Sequence, residues 1–508
     1  MAQKKGSNEK RAVEAPLKKD DVVTVQIEQI GSDGEGIAKY EGYTLFVKDA
    51  VVGDEVTVKV LKTKKSYGYA RLMEIVKPSE FRVTPRCDVA RQCGGCQIQQ
   101  LSYEKQLEYK QQKVKDCFTR IGGFEHIVDV KANSNQVEQF DDFKNGEQPI
   151  LMEPIVGMKD PYYYRNKSQF PVGRNKMGEI VTGFYAGRTH SIIGHDACHI
   201  GATINEKILA VIKEYMNEFH VEPYNEETHS GLIRHVLTRI GFVTGEVMVC
   251  LVVNGTKLPS SEILAERLSS ISEAVEQEGE GITLAKNRKV TSVCLNINKD
   301  KTNVILGNRV IPLYGEPHIT DYIGDIKYQI SPLSFYQVNP VQTKKLYDLT
   351  MEYAGLTGNE VVWDLYCGIG TISLFLAQKA KKVYGVEIIP QAIEDAKKNA
   401  KLNHLENAEF FVGAAEDVLP AKYKEEQIYA DVIVVDPPRK GCEETLLDTI
   451  VAMNPKKVVY VSCDPATLAR DAKYLKEKGY QVVKFRPVDQ FSHSVHVETV
   501  ALMLRIEQ

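Results

Sequence analysis

One cysteine in the C-terminal third of the chain, Cys463, stands where a nucleophile is expected. It follows the apolar run Lys457–Ser462, which is typical of a buried strand, and it precedes Asp464-Pro465, which can start a helix. The thiolate is the reactive form of cysteine, and it can add to an electron-poor carbon to form a covalent intermediate. The residue type and its position therefore predict covalent catalysis at the end of a strand.

A glycine-bearing segment, Asp364-Leu-Tyr-Cys-Gly-Ile-Gly-Thr371, joins a second predicted strand to a helix. Gly368 and Gly370 allow a sharp turn and a close approach to a ligand. Glu387 ends the next predicted strand, where an acid can accept hydrogen bonds from ribose hydroxyls. The full dinucleotide fingerprint and the phosphate-binding Gly-Lys-Thr/Ser motif are both absent from the sequence. The segment therefore favours a nucleoside ligand without a pyrophosphate, such as S-adenosylmethionine.

A methyl donor beside a thiol indicates one particular chemistry. Carbon 5 of uracil is a poor nucleophile, but addition of the Cys463 thiolate to carbon 6 would let it take a methyl group. A base must then remove the carbon-5 proton, and we expect Glu498, just before the last apolar run, to do so; His493 and His496 are the alternatives. In the segment Asp436-Pro-Pro-Arg439 an arginine stands where an aromatic residue would indicate amino-group methylation, so that reaction is disfavoured.

The elements around these residues predict an α/β fold. Strand and helix signals alternate after Pro340, which predicts a parallel sheet with helices on both faces, as in a Rossmann-like methyltransferase. The closing runs 481–485 and 497–506 have no helix between them and are expected to form an antiparallel hairpin. Asn339 is the predicted N-cap of the first helix, with Gln342 at the capping-box position.

The rest of the chain divides by composition. Residues 1–19 read as a flexible tail, 20–78 as a small β-barrel, 79–325 as a mixed α+β central domain, and 326–508 as the α/β domain. Residues 56–86 hold eight Lys or Arg and two acids, interleaved with Tyr67 and Tyr69. This part of the barrel is either an RNA-binding surface or a solvated rim. The acidic stretch 125–149 loses periodicity and is predicted to be a loop insertion, to which we assign no function.

Composition excludes several classes of protein. With 43% hydrophobic residues in 508, the chain is not wholly disordered, and a net charge of −4 excludes a globally basic nucleic-acid binder. No apolar run is long enough to span a bilayer, and the polar N-terminus contains no apolar run of the kind found in a secretory signal. We therefore expect a cytoplasmic protein whose cysteines are reduced, because disulfides are rare in that compartment.

Three cysteines are clustered. Cys87, Cys93 and Cys96 have the spacing Cys-x5-Cys-x2-Cys, with two glycines between the last pair. In a reducing compartment, such spacing indicates metal ligands rather than disulfides, and cysteine suits both iron–sulfur clusters and zinc. Reduced, unliganded thiols are the remaining interpretation.

Together these motifs resemble the bacterial RNA uracil-5 methyltransferases, specifically the 23S ribosomal RNA type with an N-terminal TRAM domain. The resemblance rests on the barrel, the cysteine cluster and four motifs: Phe335-Tyr-Gln-Val-Asn-Pro340, Asp364-Leu-Tyr-Cys-Gly-Ile-Gly-Thr371, Asp436-Pro-Pro-Arg439 and Ser462-Cys-Asp-Pro465.

The resemblance implies a set of roles. S-adenosylmethionine would be contacted by Gln337, Tyr366, Glu387 and Asp436, with Cys463 as nucleophile and Glu498 as base. A [4Fe–4S] cluster would be held by Cys87, Cys93, Cys96 and Cys198, and 23S ribosomal RNA would be the substrate.

Three alternatives stay open at this point. The substrate could be transfer RNA, with the same chemistry. The chain could be an RNA-binding assembly factor without catalysis, although the presence of both Cys463 and Glu498 argues against this. A cytosine-5 methyltransferase would use the same thiolate logic, but those enzymes usually carry Pro or Thr before the cysteine, where this chain has Ser462.

Overall fold

The computed structural model describes residues 15–130, 148–187, 189–277 and 279–506. Most of the predicted tail and most of the acidic stretch lie outside the described residues. The chain divides into two compact units: Met1–Arg91 with Gly95–Tyr109 and His493–Val495, and Gln92–Gly94 with Lys110–Ser492 and His496–Gln508.

The first unit contains a closed barrel with the strand order β1-β2-β3-β5-β4. Its strands are β1 (Val22–Ile30), β2 (Gly36–Tyr40), β3 (Tyr43–Lys48), β4 (Glu55–Thr63) and β5 (Tyr67–Lys77). Alternate side chains fill the interior, among them Leu45, Val47, Val56, Val58 and Val60. The period-two pattern of the sequence thus produces the predicted barrel. Helix α1 (Tyr103–Arg120) follows it in the chain.

In the second unit, two short strands lie at a sheet edge, β6 (Ile127–Asp129) and β7 (Ile150–Met152). These strands lie inside or next to the stretch 125–149 that was predicted to be a loop insertion. The prediction is therefore wrong for residues 127–129, which pair with β7 in the C-terminal sheet.

A second sheet has the order β10-β9-β8-β11-β12-β14-β13, with β15 paired to β14. Its strands are β8 (Lys167–Arg174), β9 (Ile180–Tyr185), β10 (Ile192–Gly194), β11 (Ile233–Ile240), β12 (Glu246–Val253), β13 (Ser272–Ala274), β14 (Asn287–Ile297) and β15 (Arg309–Tyr314). Helices α2 (Ile204–Glu218) and α3 (Ser261–Ser269) contribute to the core on one of its faces, and the hairpin β16 (Ile319–Ile323) and β17 (Ile326–Ile330) follows.

The C-terminal sheet has nine strands in the order β20-β19-β18-β21-β22-β24-β23-β7-β6. Its remaining strands are β18 (Val361–Leu365), β19 (Lys382–Glu387), β20 (Ala408–Val412), β21 (Val432–Val435), β22 (Lys457–Ser462), β23 (Tyr480–Val488) and β24 (Glu498–Arg505). The helices are α4 (Pro340–Ala354), α5 (Thr371–Ala377), α6 (Pro390–Leu402), α7 (Ala415–Glu426), α8 (Glu444–Met453) and α9 (Pro465–Glu477).

This sheet is doubly wound, as predicted. Strands β18 to β22 are parallel, whereas β24 runs antiparallel to both β22 and β23. Helices α4 to α6 bury their apolar sides in one core and α7 to α9 in the other, so the parallel strands are apolar on both faces. Strand order reverses between β18 and β21, and open α/β sheets bind ligands outside the carboxyl ends of the strands at such a point.

Candidate active site

A cavity of about 1210 Å³ opens at the carboxyl ends of β18, β19, β21 and β22. The sequence predicted that six side chains act in catalysis or hold the methyl donor. All six line this cavity: Gln337, Tyr366, Glu387, Asp436, Cys463 and Glu498. Residues that are up to 161 positions apart in the sequence are therefore brought to one site by the ends of the sheet strands.

The turn after β18 has a constrained backbone. Tyr366 has a φ of 66° although it is not glycine, and Gly370 has a φ of 80°. A Cβ added at Gly370 would lie 3.1 Å from the ring of Phe410, so a larger residue would be strained and crowded there. A left-handed non-glycine residue costs free energy, and strain of this kind is found at active sites and ligand-binding turns. The backbone thus agrees with the predicted ligand turn.

Glu387 is held at the end of β19 by two backbone groups. Its carboxylate accepts hydrogen bonds from the amide of Gly368 (3.3 Å) and the amide of Ile389 (3.0 Å). Each carboxylate oxygen can accept more than one hydrogen bond, so capacity remains for the hydroxyls of a ribose. The observed contacts therefore fit a nucleoside ligand at this position.

The predicted nucleophile and base lie at the adjoining ends of two paired strands. Ser462 pairs with Thr499 in the antiparallel ladder between β22 and β24. This pair ends the ladder: Cys463 directly follows β22, Glu498 is the first residue of β24, and the carboxylate of Glu498 contributes to raising the pKa of the Cys463 thiol. The strand pairing thus presents a thiol and a carboxyl group together to the cavity.

The turn after Cys463 is held by local hydrogen bonds. Asp464 is the N-cap of α9 and accepts from the amide of Ala466 (2.9 Å), and its own amide donates to Ser462 Oγ (3.1 Å). The N-cap position and the proline that follows explain why the helix starts here. The thiol is therefore carried by a short, well-anchored strand-to-helix turn.

Electrostatics in the cavity favour neutral forms. Burial raises the pKa of Cys463 to about 12, and the carboxylates of Glu498 and Asp436 add to the shift, whereas Arg439 opposes it. Burial raises the pKa of Glu498 to about 8; Asp436 adds to that shift and Arg439 opposes it. Burial also raises the pKa of Asp436 to about 7. Around neutral pH the cysteine is therefore a thiol and Glu498 is largely protonated.

Two further residues, to which the sequence assigned no role, line the cavity. Arg439 is exposed in the cavity wall, and its guanidinium has no hydrogen-bond or ion-pair partner within the described ranges. Phe335 is 70% exposed and also lines the cavity. Both residues were visible in quoted motifs, but only the folded chain shows that the arginine shares a cavity with the thiol and the two carboxyls.

The two histidines proposed as alternative bases differ in their surroundings. His496 lines the cavity, but burial lowers its pKa to about 4 and Arg439 contributes to that shift, so it stays neutral. The Nδ1 of His493 is hydrogen-bonded to Gln106 (3.2 Å). Glu498, with its raised pKa, is the better-placed base.

A buried hydrogen-bond network ties the two halves of the site together. Asn339 caps α4 by accepting from the amide of Gln342 (3.2 Å), as predicted, and it donates to the carbonyl of Gln490 (3.2 Å). The Gln342 side chain does not complete a capping box; it donates to the carbonyl of Asp489 (3.1 Å). The Asp489 carboxylate forms a fully buried ion pair with Lys110 (2.5 Å). The loop that carries Gln337 is thus joined to the segment leading into Glu498.

The predicted metal site is not supported. Across the described ranges, no three His, Cys, Asp or Glu side chains are grouped so that they could hold a metal ion. This finding includes Cys87, Cys93, Cys96 and Cys198, all of which are half-buried. The Gln99 side chain accepts from the amide of Cys87 (2.9 Å) and donates to Cys96 Sγ (3.6 Å). The spacing of cysteines in a sequence does not show whether their sulfur atoms converge in the fold. In the structure, the side-chain amide of Gln99 contacts two of the four expected ligand residues, Cys87 and Cys96.

Among the helices that the structure describes, none has the length and apolar character required to cross a bilayer.

Comparison with known proteins agrees with the geometry of the cavity. Residues 319–506 match the family model described as tRNA (Uracil-5-)-methyltransferase, and residues 16–73 match the TRAM domain. A protein of Bacillus cereus described as an uncharacterized RNA methyltransferase is 47% identical over 493 residues, covering 97% of this chain and 98% of that protein. A Clostridium tetani protein with the same description is 46% identical, covering 96% and 97%.

A crystal structure of Pyrococcus abyssi tRNA (uracil-54, C5)-methyltransferase in complex with S-adenosyl-L-homocysteine is also similar. It superposes with a TM-score of 0.70 at 26% identity, covering 95% of this chain and 99% of that one. The fold is therefore that of an S-adenosylmethionine-dependent methyltransferase. The chain belongs to the family of RNA methyltransferases that join a TRAM domain to a (uracil-5-)-methyltransferase domain.

Proposed function

We propose that this protein methylates carbon 5 of uridine in RNA, with Cys463 as the nucleophile and Glu498 as the base. The observation that carries the proposal is the presence of both side chains, at the ends of paired strands, in the cavity that also contains the proposed donor contacts. The RNA methyltransferase family to which the chain belongs supports the substrate class.

The donor would lie against the turn after β18. Glu387 would accept hydrogen bonds from the ribose, and Gln337, Tyr366 and Asp436 would complete the contacts. S-adenosylmethionine supplies an electrophilic methyl group when bound. The chain's own residues supply the nucleophile and the base that the reaction needs.

Cys463 would form the covalent bond to the substrate. Its thiol must first lose a proton, which the raised pKa opposes, and the positive charge of Arg439 favours the thiolate. The thiolate then adds to carbon 6 of the ring, and the electron pair of the carbon 5–carbon 6 double bond becomes available at carbon 5. Arg439 thus has an electrostatic role in the first step.

Glu498 would complete the reaction. Carbon 5 would take the methyl group as the carbon–sulfur bond of the donor breaks and S-adenosylhomocysteine leaves. Glu498 then accepts the remaining carbon-5 proton, the double bond re-forms, and the Cys463 thiolate leaves. A carboxylate with a pKa raised to about 8 is a stronger base than an ordinary solvent-exposed one. Burial therefore suits Glu498 to this proton transfer, provided that it is ionised.

The decisive experiment traps the covalent intermediate. RNA with 5-fluorouridine at the target should form a stable adduct, because fluorine does not leave as a proton does. A Cys463→Ala variant should form none, whereas Cys117→Ala, which replaces another half-buried cysteine, should trap normally. Methylation by Cys463→Ala would disprove the mechanism while still excluding a non-catalytic assembly factor.

We propose 23S ribosomal RNA as the substrate, on the resemblance of the barrel and motifs to that type of enzyme. Transfer RNA is the second candidate, and a specific observation favours it: the similar Pyrococcus abyssi structure is that of a tRNA methyltransferase. Mapping 5-methyluridine in ribosomal and transfer RNA from cells with and without this protein decides between them. Loss of the mark from transfer RNA alone would refute the ribosomal substrate.

No step of this mechanism runs through a metal. The spacing of Cys87, Cys93 and Cys96 is the argument for a [4Fe–4S] cluster, and the described side chains are not arranged to hold one. Iron and sulfide determination on protein purified without oxygen tests the cluster directly. Four iron atoms per chain, lost in a Cys96→Ser variant, would establish the cluster against the arrangement seen here.

A further inference from the structure

A buried carboxylate on α9, Asp471, contacts the segment 436–443, which joins β21 to α8. Its Oδ2 accepts hydrogen bonds from the amide of Cys442 (2.8 Å) and from the hydroxyl of Tyr460 on β22 (2.7 Å). Its Oδ1 accepts from Nε of Arg470 (2.8 Å). Asp471 is 1% exposed, and these contacts offset the cost of burying a carboxylate. One side chain therefore connects the segment, a sheet strand and a helix.

Arg470 holds the same segment through its backbone carbonyls. One guanidinium nitrogen, Nη2, donates to the carbonyl of Lys440 (3.0 Å) and to that of Cys442 (3.3 Å). Gly441 lies between these two residues with a φ of 78°, and an added Cβ would lie 2.6 Å from Nη2 of Arg470 and 2.6 Å from Oδ2 of Asp471. A larger residue would be strained and crowded there, so the segment packs directly against both side chains. We call Asp471 and Arg470 the loop clamp.

The clamped segment carries a cation of the cavity, Arg439. This residue lies two positions before Gly441, in a turn closed by a hydrogen bond from the amide of Gly441 to the carbonyl of Pro438 (2.8 Å). In the part of the chain that the structure describes, the guanidinium of Arg439 has no hydrogen-bond or ion-pair partner. Its location is therefore determined by the backbone of the segment, which the loop clamp holds.

The loop clamp is also connected to the elements on either side of the nucleophile. Tyr460 lies on β22 three residues before Cys463, and α9, which carries the clamp, begins directly after its N-cap Asp464. The clamp thus joins the segment that carries Arg439 to the strand and the helix that flank the thiol. Packing alone would be served by an apolar side chain at position 471, whereas a carboxylate binds one particular amide of the segment.

We infer that the loop clamp positions Arg439 so that its charge acts on the sulfur of Cys463, which makes Asp471 a positioning residue for the nucleophile. This inference rests on the proposed function and deepens it, because it names a residue outside the cavity lining that controls the reactivity of the thiol. The charged groups that act on the thiol come from the segment, β24 and the start of α9: Arg439, Asp436, Glu498 and Asp464. Arg439 is the cation of this set. Coulomb interactions weaken with distance, so a loosened segment would leave the thiolate less stabilised.

The test measures how fast iodoacetamide alkylates Cys463, read by peptide mass spectrometry on the full chain without RNA or methyl donor. At about pH 8 the rate follows the thiolate fraction, because burial raises the pKa of the thiol to about 12. Asp471→Asn keeps the size of the side chain but removes its charge. It should slow alkylation about threefold, because a weakly held cation acts at a greater average distance. In an Arg439→Met background the same substitution should have no effect, since no guanidinium is left to position, whereas general structural damage would act equally in both backgrounds.

Two further variants decide the matter even if Asp471→Asn does not fold. Arg470→Gln changes an exposed side chain and removes its two carbonyl contacts, so it should slow alkylation in the same way, again only where Arg439 is present. Lys473→Gln, which removes an exposed cation from the same helix, is the matched control and should change nothing.

The inference is overturned if neither clamp variant slows alkylation, if the slowing persists in the Arg439→Met background, or if Lys473→Gln slows alkylation equally. Failure of the chemistry is separate. If the wild type forms no fluorouridine adduct while the alkylation rates behave as expected, the proposed function fails and the loop clamp stands.

Discussion

Replacing the proposed base by its amide, Glu498→Gln, separates the two halves of the reaction. The amide keeps the size and much of the hydrogen bonding of the carboxyl group, but it cannot accept a proton. Because Glu498 lies next to the end of the β22/β24 ladder that carries Cys463 but is not the nucleophile, loss of its carboxylate should leave addition possible and block elimination. The variant should therefore accumulate a covalent protein–RNA adduct on ordinary, unfluorinated RNA. General-base catalysis accelerates a reaction by about 10²–10⁴, so the elimination step, which frees the methylated RNA from Cys463, should slow by that factor.

The pH dependence gives a second, quantitative readout. With its pKa raised to about 8, Glu498 is ionised in about one molecule in ten at pH 7, and only the ionised form can act as a base. The elimination rate of the wild type should therefore rise about tenfold between about pH 7 and pH 9 and level off above the pKa. The variant should lose this dependence.

Quenched single-turnover reactions, resolved by denaturing gels across a pH series, measure adduct and product together. Glu416→Gln is the matched control, because Glu416 lines the same cavity and has no part in the proposed mechanism. Complete turnover by Glu498→Gln without adduct would refute the assignment of the base. A wild-type elimination rate that is the same at about pH 7 and pH 9 would refute it as well.

Three further changes test other parts of the site. Arg439→Met removes the cation that favours the Cys463 thiolate. The pH profile of thiol alkylation should therefore shift to higher pH, and adduct trapping should slow about tenfold. An unchanged alkylation profile would show that the arginine does not act on the thiol. Glu387→Gln weakens a charged acceptor and should reduce S-adenosylhomocysteine affinity about tenfold by calorimetry; unchanged affinity would remove it from the donor site. Lys110→Met removes the buried cation that pairs with the Asp489 carboxylate, so urea unfolding should show a loss of about 3–5 kcal/mol in the free energy of unfolding. Most of this loss should be recovered in Lys110→Met/Asp489→Leu.

The parallel sheet was predictable because its signals are local. Continuous apolar runs, a glycine turn after β18 and the N-cap at Asn339 all follow from a few neighbouring residues. Helix α7 was not predicted, since Pro420 lies inside it and its apolar periodicity is weak. The three-residue strands β6 and β7 were missed for a related reason: their pairing with the C-terminal sheet depends on residues more than 300 positions away.

The candidate site was predicted as a set of residue types at strand ends, which topology then brings together. Sequence alone could not show which residues are neighbours in space, so the placement of Cys463 and Glu498 at adjoining strand ends, with the charge of Arg439 acting on both, came only from the folded chain. The predicted metal site shows the same limit of sequence-based prediction, because the expected grouping of ligands is not found among the described residues. Spacing suggested that three thiols converge and the family resemblance added a fourth, but convergence depends on backbone paths that neither determines.

The ladder between β22 and β24 runs through six consecutive pairs without a bulge. Side chains on a strand alternate between faces, so sliding β24 by a single residue would turn the carboxyl group of Glu498 away from Cys463 while keeping most backbone hydrogen bonds. Such a misaligned chain could be compact and still chemically inert. One inserted or deleted residue early in β24 should accordingly be far more harmful to turnover than to stability, and accurate alignment of this strand during folding is itself a condition for activity.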